Sequence, residues 1–155
     1  MTKDESKINS GSPFIRRAGT ILAISYPVLA ISTGFRAFYQ LLLKEGVENF
    51  LPPTLSAVAA ASYLIATIGF TYRKKWAWWL SVGVLAFETA MTLIIGTLSF
   101  IYPDTIGRTV WRYYGIDYGF FPLIQPILGL LWLLNRETLV MYDIKIRRRL
   151  QHTTG

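Results

Sequence analysis

Two charged side chains stand inside long apolar stretches of this sequence: Arg36 in AISTGFRAFYQLLL and Glu88 in GVLAFETAMTLII. Away from water an unpaired charge costs about 2.5–3.5 kcal/mol or more on insertion scales. Such groups therefore pair, or they bind something. Gln125 in GFFPLIQPILG and Tyr63 in ASYLIATIG occupy similar surroundings. An amide and a phenol can hydrogen-bond a carboxylate or a guanidinium. Three chemistries follow: polar ties that hold helices in register, a proton- or ligand-responsive site centred on Glu88, or pairing of Arg36 or Glu88 with another subunit.

Other chemistries are excluded by residue type. The chain has no cysteine, so it has no disulfide, thiolate metal ligand or cysteine nucleophile. Its single histidine, His152, lies near the C-terminus. The sequence carries no metal-ligand cluster, Ser/His pair, close carboxylate pair or glycine-rich phosphate loop. The expectation is no enzyme, no metal and no cofactor.

The elements that position these residues are set by hydropathy. Of 155 residues, 52% are hydrophobic and 16% charged, against about 25% charged in soluble domains. Segments 18–43, 53–72, 76–101 and 119–135 approach or exceed the length needed to cross a bilayer, about 20 residues. The first is too long for a cleavable signal, and no small-residue cleavage site follows it. The expected fold is an all-α membrane protein, a four-transmembrane-helix bundle over 18–135. Residues 1–17 form a flexible tail and 136–155 a basic tail.

The sixteen Lys and Arg residues give the direction. Lys3, Lys7, Arg16 and Arg17 precede the first span; Arg73, Lys74 and Lys75 join the second and third; Arg136, Lys145, Arg147, Arg148 and Arg149 follow the fourth. The opposite side has Lys44, Arg108 and Arg112. Basic loops stay cytoplasmic, so both termini face the cytoplasm and the protein sits in the plasma membrane. A net charge of +7 would suggest nucleic acid in a soluble protein. Beside apolar spans it points to anionic lipid headgroups, at about 1 kcal/mol per basic residue. Arg73, Lys74, Lys75, Arg147, Arg148 and Arg149 are the expected headgroup contacts. A membrane-protein partner or a second copy is the other expected contact, and nucleic acid is not.

Aromatic residues mark the boundaries, because Trp and Tyr favour the headgroup region. Tyr72, Trp76, Trp78, Trp79 and Trp132 fall at the inner side. Tyr102, Trp111, Tyr113, Tyr114 and Tyr118 fall at the outer side. The aromatic loop between the third and fourth spans is expected to lie along the outer membrane surface.

Each span has a face suited to packing, since residues three and four apart are neighbours on a helix. These faces are Ser25, Ser32, Arg36 and Gln40; Ser56, Ala60, Tyr63 and Thr67; Ser81, Glu88, Thr92, Gly96 and Ser99; and Tyr118, Pro122, Gln125 and Gly129. At 1.5 Å per residue, Arg36 lies about 10 Å below the outer boundary, Gln125 about 9 Å and Glu88 about 20 Å. The expected network is Arg36 with Gln125, and Glu88 below, reached by Arg36, Tyr63 or a water.

Three prolines interrupt these helices. Pro122 falls in a first turn, where a missing N–H costs little. Pro126 frees the carbonyl of Pro122, and Pro27 frees that of Ala23. A freed carbonyl in a membrane needs a partner, and Arg36 or Gln125 is the expected donor for Pro122.

The stretch Trp111-x-x-Tyr114-Gly115-x-x-Tyr118-Gly119-Phe120-x-Pro122-Leu123-x-x-Pro126-x-Leu128-Gly129-Leu130-x-Trp132-Leu133 resembles small four-span integral membrane proteins of actinobacterial type. They are similar also in carrying a third-span Glu, as at Glu88. The resemblance, mainly over 76–134, implies the four-span topology and no particular activity. Two functions fit: an accessory or scaffolding subunit of a membrane complex, or a small proton- or ligand-coupled transporter. Small multidrug exporters also use one membrane Glu, but in their first span and with a weak charge bias.

Overall fold

The computed structural model describes residues 12–144. Helix α1 spans Pro13–Phe38 and continues through a π-helical turn, Tyr39–Leu43. Helices α2, Leu51–Thr71, and α3, Lys75–Ile101, follow. A single turn, α4, spans Pro103–Ile106, and a 3-10 segment covers Arg112–Tyr118. Helix α5 is Phe121–Leu134 and α6 is Arg136–Met141. Among the described residues there is no strand.

Local sequence explains the helix starts. The Ser12 hydroxyl faces the Ile15 N–H and Pro13 takes the first position of α1, a position that loses no hydrogen bond to proline. α1 therefore begins inside the stretch expected to be a tail, with Arg16 and Arg17 in its first turns. Pro52 and Pro53 open α2 in the same way. A link of only three residues, 72–74, joins α2 to α3, which makes them antiparallel neighbours.

α1 lies along α2, α2 packs on α3, α3 packs on α5, and α5 touches α1 more lightly. The packing is inverted relative to a soluble protein. The inner stripe of α1 is Ile15, Gly19, Leu22, Tyr26, Ala30, Thr33 and Ala37. Its outer stripe is Phe14, Ile21, Ile24, Val28, Ile31, Phe35 and Leu42, all exposed. The outer stripe is wholly large and apolar, while the inner one is rich in small residues beside Ile15, Leu22 and Tyr26, which suits a hydrocarbon solvent and close helix packing. α1, α2 and α3 are each long and apolar enough to cross a membrane.

The fourth expected span differs. α5 has 14 residues, about 21 Å at 1.5 Å per residue, against a hydrocarbon core of about 30 Å. Its lead-in, Arg112–Tyr118, meets it at 98°. The bend is built from left-handed backbone at Tyr113, Tyr114, Gly115, Gly119 and Phe120, with φ between 44° and 85°. Such a conformation costs about 1–2 kcal/mol for each non-glycine residue. A fork between Arg112 and Asp117 closes the turn, with Nη2 to Oδ1 at 2.8 Å and Nε to Oδ2 at 3.2 Å. The described residues thus hold three candidate crossings, or four if α5 and its bent lead-in make one broken span.

The aromatic loop is tucked in rather than laid flat. Thr109, Val110 and Trp111 are fully buried, and the Val110 N–H donates to Ser56 Oγ at 3.2 Å. The loop plugs one end of the helices. Trp78 and Trp132, expected at a lipid boundary, are also buried. Their indole N–H groups donate to the carbonyls of Leu133 (2.9 Å) and Ile15 (2.8 Å). Tyr72, Trp76, Trp79 and Tyr102 do remain exposed.

Candidate polar centre

Each of the four long helices turns a polar side chain inward. α1 contributes Tyr26, α2 Tyr63, α3 Glu88 and Thr92, and α5 Gln125, all buried. The rings of Tyr26 and Tyr63 lie 6.0 Å apart, and Tyr26 stacks on Phe70 at 5.3 Å. Glu88 lies within electrostatic reach of both phenols. Among the described residues neither carboxylate oxygen of Glu88 has a hydrogen-bond partner, and the hydroxyls of Tyr26 and Tyr63 and Oε1 of Gln125 are equally unpartnered.

Gln125 is held from α1. Its Nε2 donates to Ser25 Oγ at 2.8 Å, and Ser25 donates onward to the Leu22 carbonyl at 3.1 Å. Its oxygen is left available. The expected Arg36–Gln125 contact is therefore replaced by Ser25–Gln125.

Arg36 stands outside this centre. Its Nη1 donates to the Tyr118 hydroxyl at 3.1 Å and its Nη2 to the Arg108 carbonyl at 3.1 Å. The expected Arg36–Glu88 pairing does not form. The reason is reach: Arg36 is near the loop end of α1, and a long basic side chain extends toward the wetter end of a helix. There it finds a carbonyl and a phenol in the bent loop.

The prolines behave in part as expected. Pro122 sits in the first turn of α5 and Pro126 within it. The Pro122 carbonyl does acquire a donor, but it is Thr92 Oγ1 at 3.1 Å. That hydroxyl also faces the Glu88 carbonyl one turn back, at 2.8 Å. Thr92 thus ties α3 to α5 immediately beside the centre. Pro27 lies in α1 directly after Tyr26.

At the opposite end from the plug, Arg73 is turned inward rather than toward headgroups. Its guanidinium carbon sits 5.2 Å from the Trp132 ring centre and 5.7 Å from that of Tyr142, and Nη1 lies 3.7 Å from Met141 Sδ. Cation–π attraction to two rings outweighs exposure. Tyr142 donates to the Gly69 carbonyl at 3.1 Å. Burial pushes its phenol up to about 12, with Arg73 acting in the opposite direction. Lys74 and Lys75 stay exposed; Arg147, Arg148 and Arg149 lie outside the described residues.

Tyr26 and Thr33 are buried inward-facing residues outside the polar faces expected from the sequence. The stripe of small residues flanking Tyr26, from Gly19 to Ala37, is the signal that places it inward. Ser32, expected on the inner face, is exposed.

Fold and centre together define an all-helical protein with three to four membrane-length helices around a buried, incompletely bonded polar cluster. Compared with protein-family models, curated proteins and solved structures, the chain finds no match.

Proposed function

We propose that the chain is a non-enzymatic, multi-pass protein of the plasma membrane, a four-helix bundle with both termini cytoplasmic, that works as a small proton- or cation-coupled transporter. α5 with its bent lead-in makes the fourth crossing. The direction rests on charge. Arg16, Arg17, Lys74, Lys75 and Arg136 gather at one end, while Lys44, Arg108 and Arg112 at the other are accompanied by Glu45, Glu48, Asp104 and Asp117. The excess of Lys and Arg at the first end supports a cytoplasmic location for it.

The observation that carries the reading is the state of Glu88. It is fully buried, its oxygens have no hydrogen-bond partner among the described residues, and Arg36 is engaged elsewhere. A buried charge without a partner is far costlier than a paired one. A purely structural tie would have used Arg36. The centre instead leaves one carboxylate, two phenol hydroxyls and an amide oxygen unpartnered among the described residues, groups able to take up a proton or a small cation. The test is flux in liposomes holding purified protein, across cation and pH gradients. Flux lost in Glu88→Gln supports the reading, and the absence of any flux across a broad panel of cations overturns it.

A second reading, an accessory or scaffolding subunit, is favoured by the outward face of α3. Gly83, Ala86, Ala90 and Thr97 are exposed along it, and open space lies over Gly83. Small residues at this spacing let another helix approach closely. Recovery of a stoichiometric partner after purification in mild detergent, lost in Gly83→Leu, supports this reading.

A further inference from the structure

α1 and α5 are joined at two levels. Trp132 Nε1 donates to the Ile15 carbonyl at 2.8 Å, and Gln125 Nε2 donates to Ser25 Oγ at 2.8 Å. Ten residues of α1 separate these ties, about 15 Å at 1.5 Å per residue. Along this stretch the helices contact one another lightly, and a groove of about 660 Å³ opens outward, lined by Ile21, Leu22, Leu128, Leu131 and Trp132 among others. That volume is in the range of small-molecule sites, about 300–1,000 Å³. The wall is almost wholly apolar, and Arg17 stands at its mouth.

Arg17 and Ile21 also border an adjoining recess of about 540 Å³, which Arg16 and Thr20 line as well. An apolar slot thus leads directly to the Arg17 guanidinium, which borders both spaces. Glu137, a carboxylate at the same end, is already engaged by the Ser12 backbone N–H at 2.6 Å. The linings of the groove and the recess contain no acidic residue, and Arg17 borders both.

We propose that this groove holds one acyl chain of an anionic phospholipid, with its phosphate at Arg17 and the adjoining recess. Basic pockets between spans on the cytoplasmic side take anionic headgroups. The guanidinium geometry matches phosphate oxygens in pairs. The apolar wall supplies the affinity that a loose surface charge lacks, so the lipid is retained rather than merely adjacent. This assignment rests on the membrane orientation and not on the role of Glu88.

The test is native mass spectrometry of the protein released from nanodiscs made of equal phosphatidylglycerol and phosphatidylcholine. One phosphatidylglycerol per chain is expected to survive release in preference to phosphatidylcholine. Arg17→Gln lowers that preference several-fold, and Leu131→Trp, which fills the groove, lowers retention of both lipids. Both positions face outward, so circular dichroism unchanged from wild type verifies that the fold is intact. Equal retention of the two lipids, or phosphatidylglycerol retention indifferent to both substitutions, overturns the proposal.

Discussion

The guanidinium of Arg36 donates to the Tyr118 hydroxyl at 3.1 Å and joins α1 to the bent loop 82 residues further on. A second bond, to the Arg108 carbonyl at 3.1 Å, reaches the other limb of the same loop. One side chain thereby fastens both limbs of the plug. Two consequences differ from those of a charge pair with Glu88. Arg36→Leu is expected to loosen residues 108–118, seen as faster hydrogen exchange there, while the ends of α2 and α3 near Gly69 and Trp78 keep their protection. Arg36→Leu and Tyr118→Phe share one bond, so their effects on melting are expected to be non-additive by about 0.5–3 kcal/mol. Strict additivity in that cycle would show that the bond contributes nothing.

Thr92 offers a second measurable tie. Its one hydroxyl proton is shared between the Glu88 carbonyl at 2.8 Å and, at 3.1 Å, the Pro122 carbonyl that Pro126 deprives of its helical N–H. Thr92→Val keeps the shape and deletes the hydroxyl. Bonds between helices in a membrane average about 0.6 kcal/mol, and leaving a buried acceptor bare costs about 1–3 kcal/mol. A loss of about 1 kcal/mol in detergent unfolding is expected, with Thr92→Ser close to wild type. If Val and Ser variants unfold alike, the hydroxyl is not the tie.

Much of this arrangement is legible in the sequence, and the illegible part has physical causes. The expected spans 53–72 and 76–101 correspond to Leu51–Thr71 and Lys75–Ile101, because length and hydropathy are local properties. The face Ser81, Glu88, Thr92, Gly96 and Ser99 is buried throughout, because a helix of regular pitch fixes which residues share a side. Depth was not legible. Residue counts put Arg36 and Gln125 level, yet Gln125 bonds Ser25, which lies about 16 Å along α1 from Arg36. The count assumes a straight entry into α5, and the lead-in is bent by 98°. The broken start of α5 depends on five left-handed residues, of which only Gly115 and Gly119 advertise that conformation. Trp78, Trp111 and Trp132 were assigned to lipid boundaries by type, whereas packing buries all three.

Close approach of α3 and α5 depends on Gly129. A Cβ at this position would overlap the Leu85 side chain and touch Phe70. Leu85 is itself fully buried, so it cannot swing into lipid. Gly129→Ala is therefore expected to destabilise by about 1–3 kcal/mol, the usual cost of overfilling a packed site. Combining it with Leu85→Ala should recover part of that loss, giving a favourable coupling in a double-mutant cycle. A Gly129→Ala protein as stable as wild type would mean that the two helices are not in contact at this level.

The closing contact at the basic end carries a pH dependence. Tyr142 donates to the Gly69 carbonyl, and its phenol is pushed from an ordinary 10.0 up to about 12 by burial. When the C-terminal turn is undocked, the phenol titrates near its ordinary value. Between those two limits the undocked form loses its proton while the docked form keeps it, so docking weakens as pH rises. The stabilisation is fully present below about pH 10 and is lost as pH climbs toward about 12. Arg73, resting against both Trp132 and Tyr142, is released by the same step. Proteolysis after Arg136 or Arg73 should accordingly accelerate across this window in the wild type. Tyr142→Phe should show weaker docking at neutral pH and no further change between about 10 and 12. A variant that retains the full alkaline step would assign it to another group.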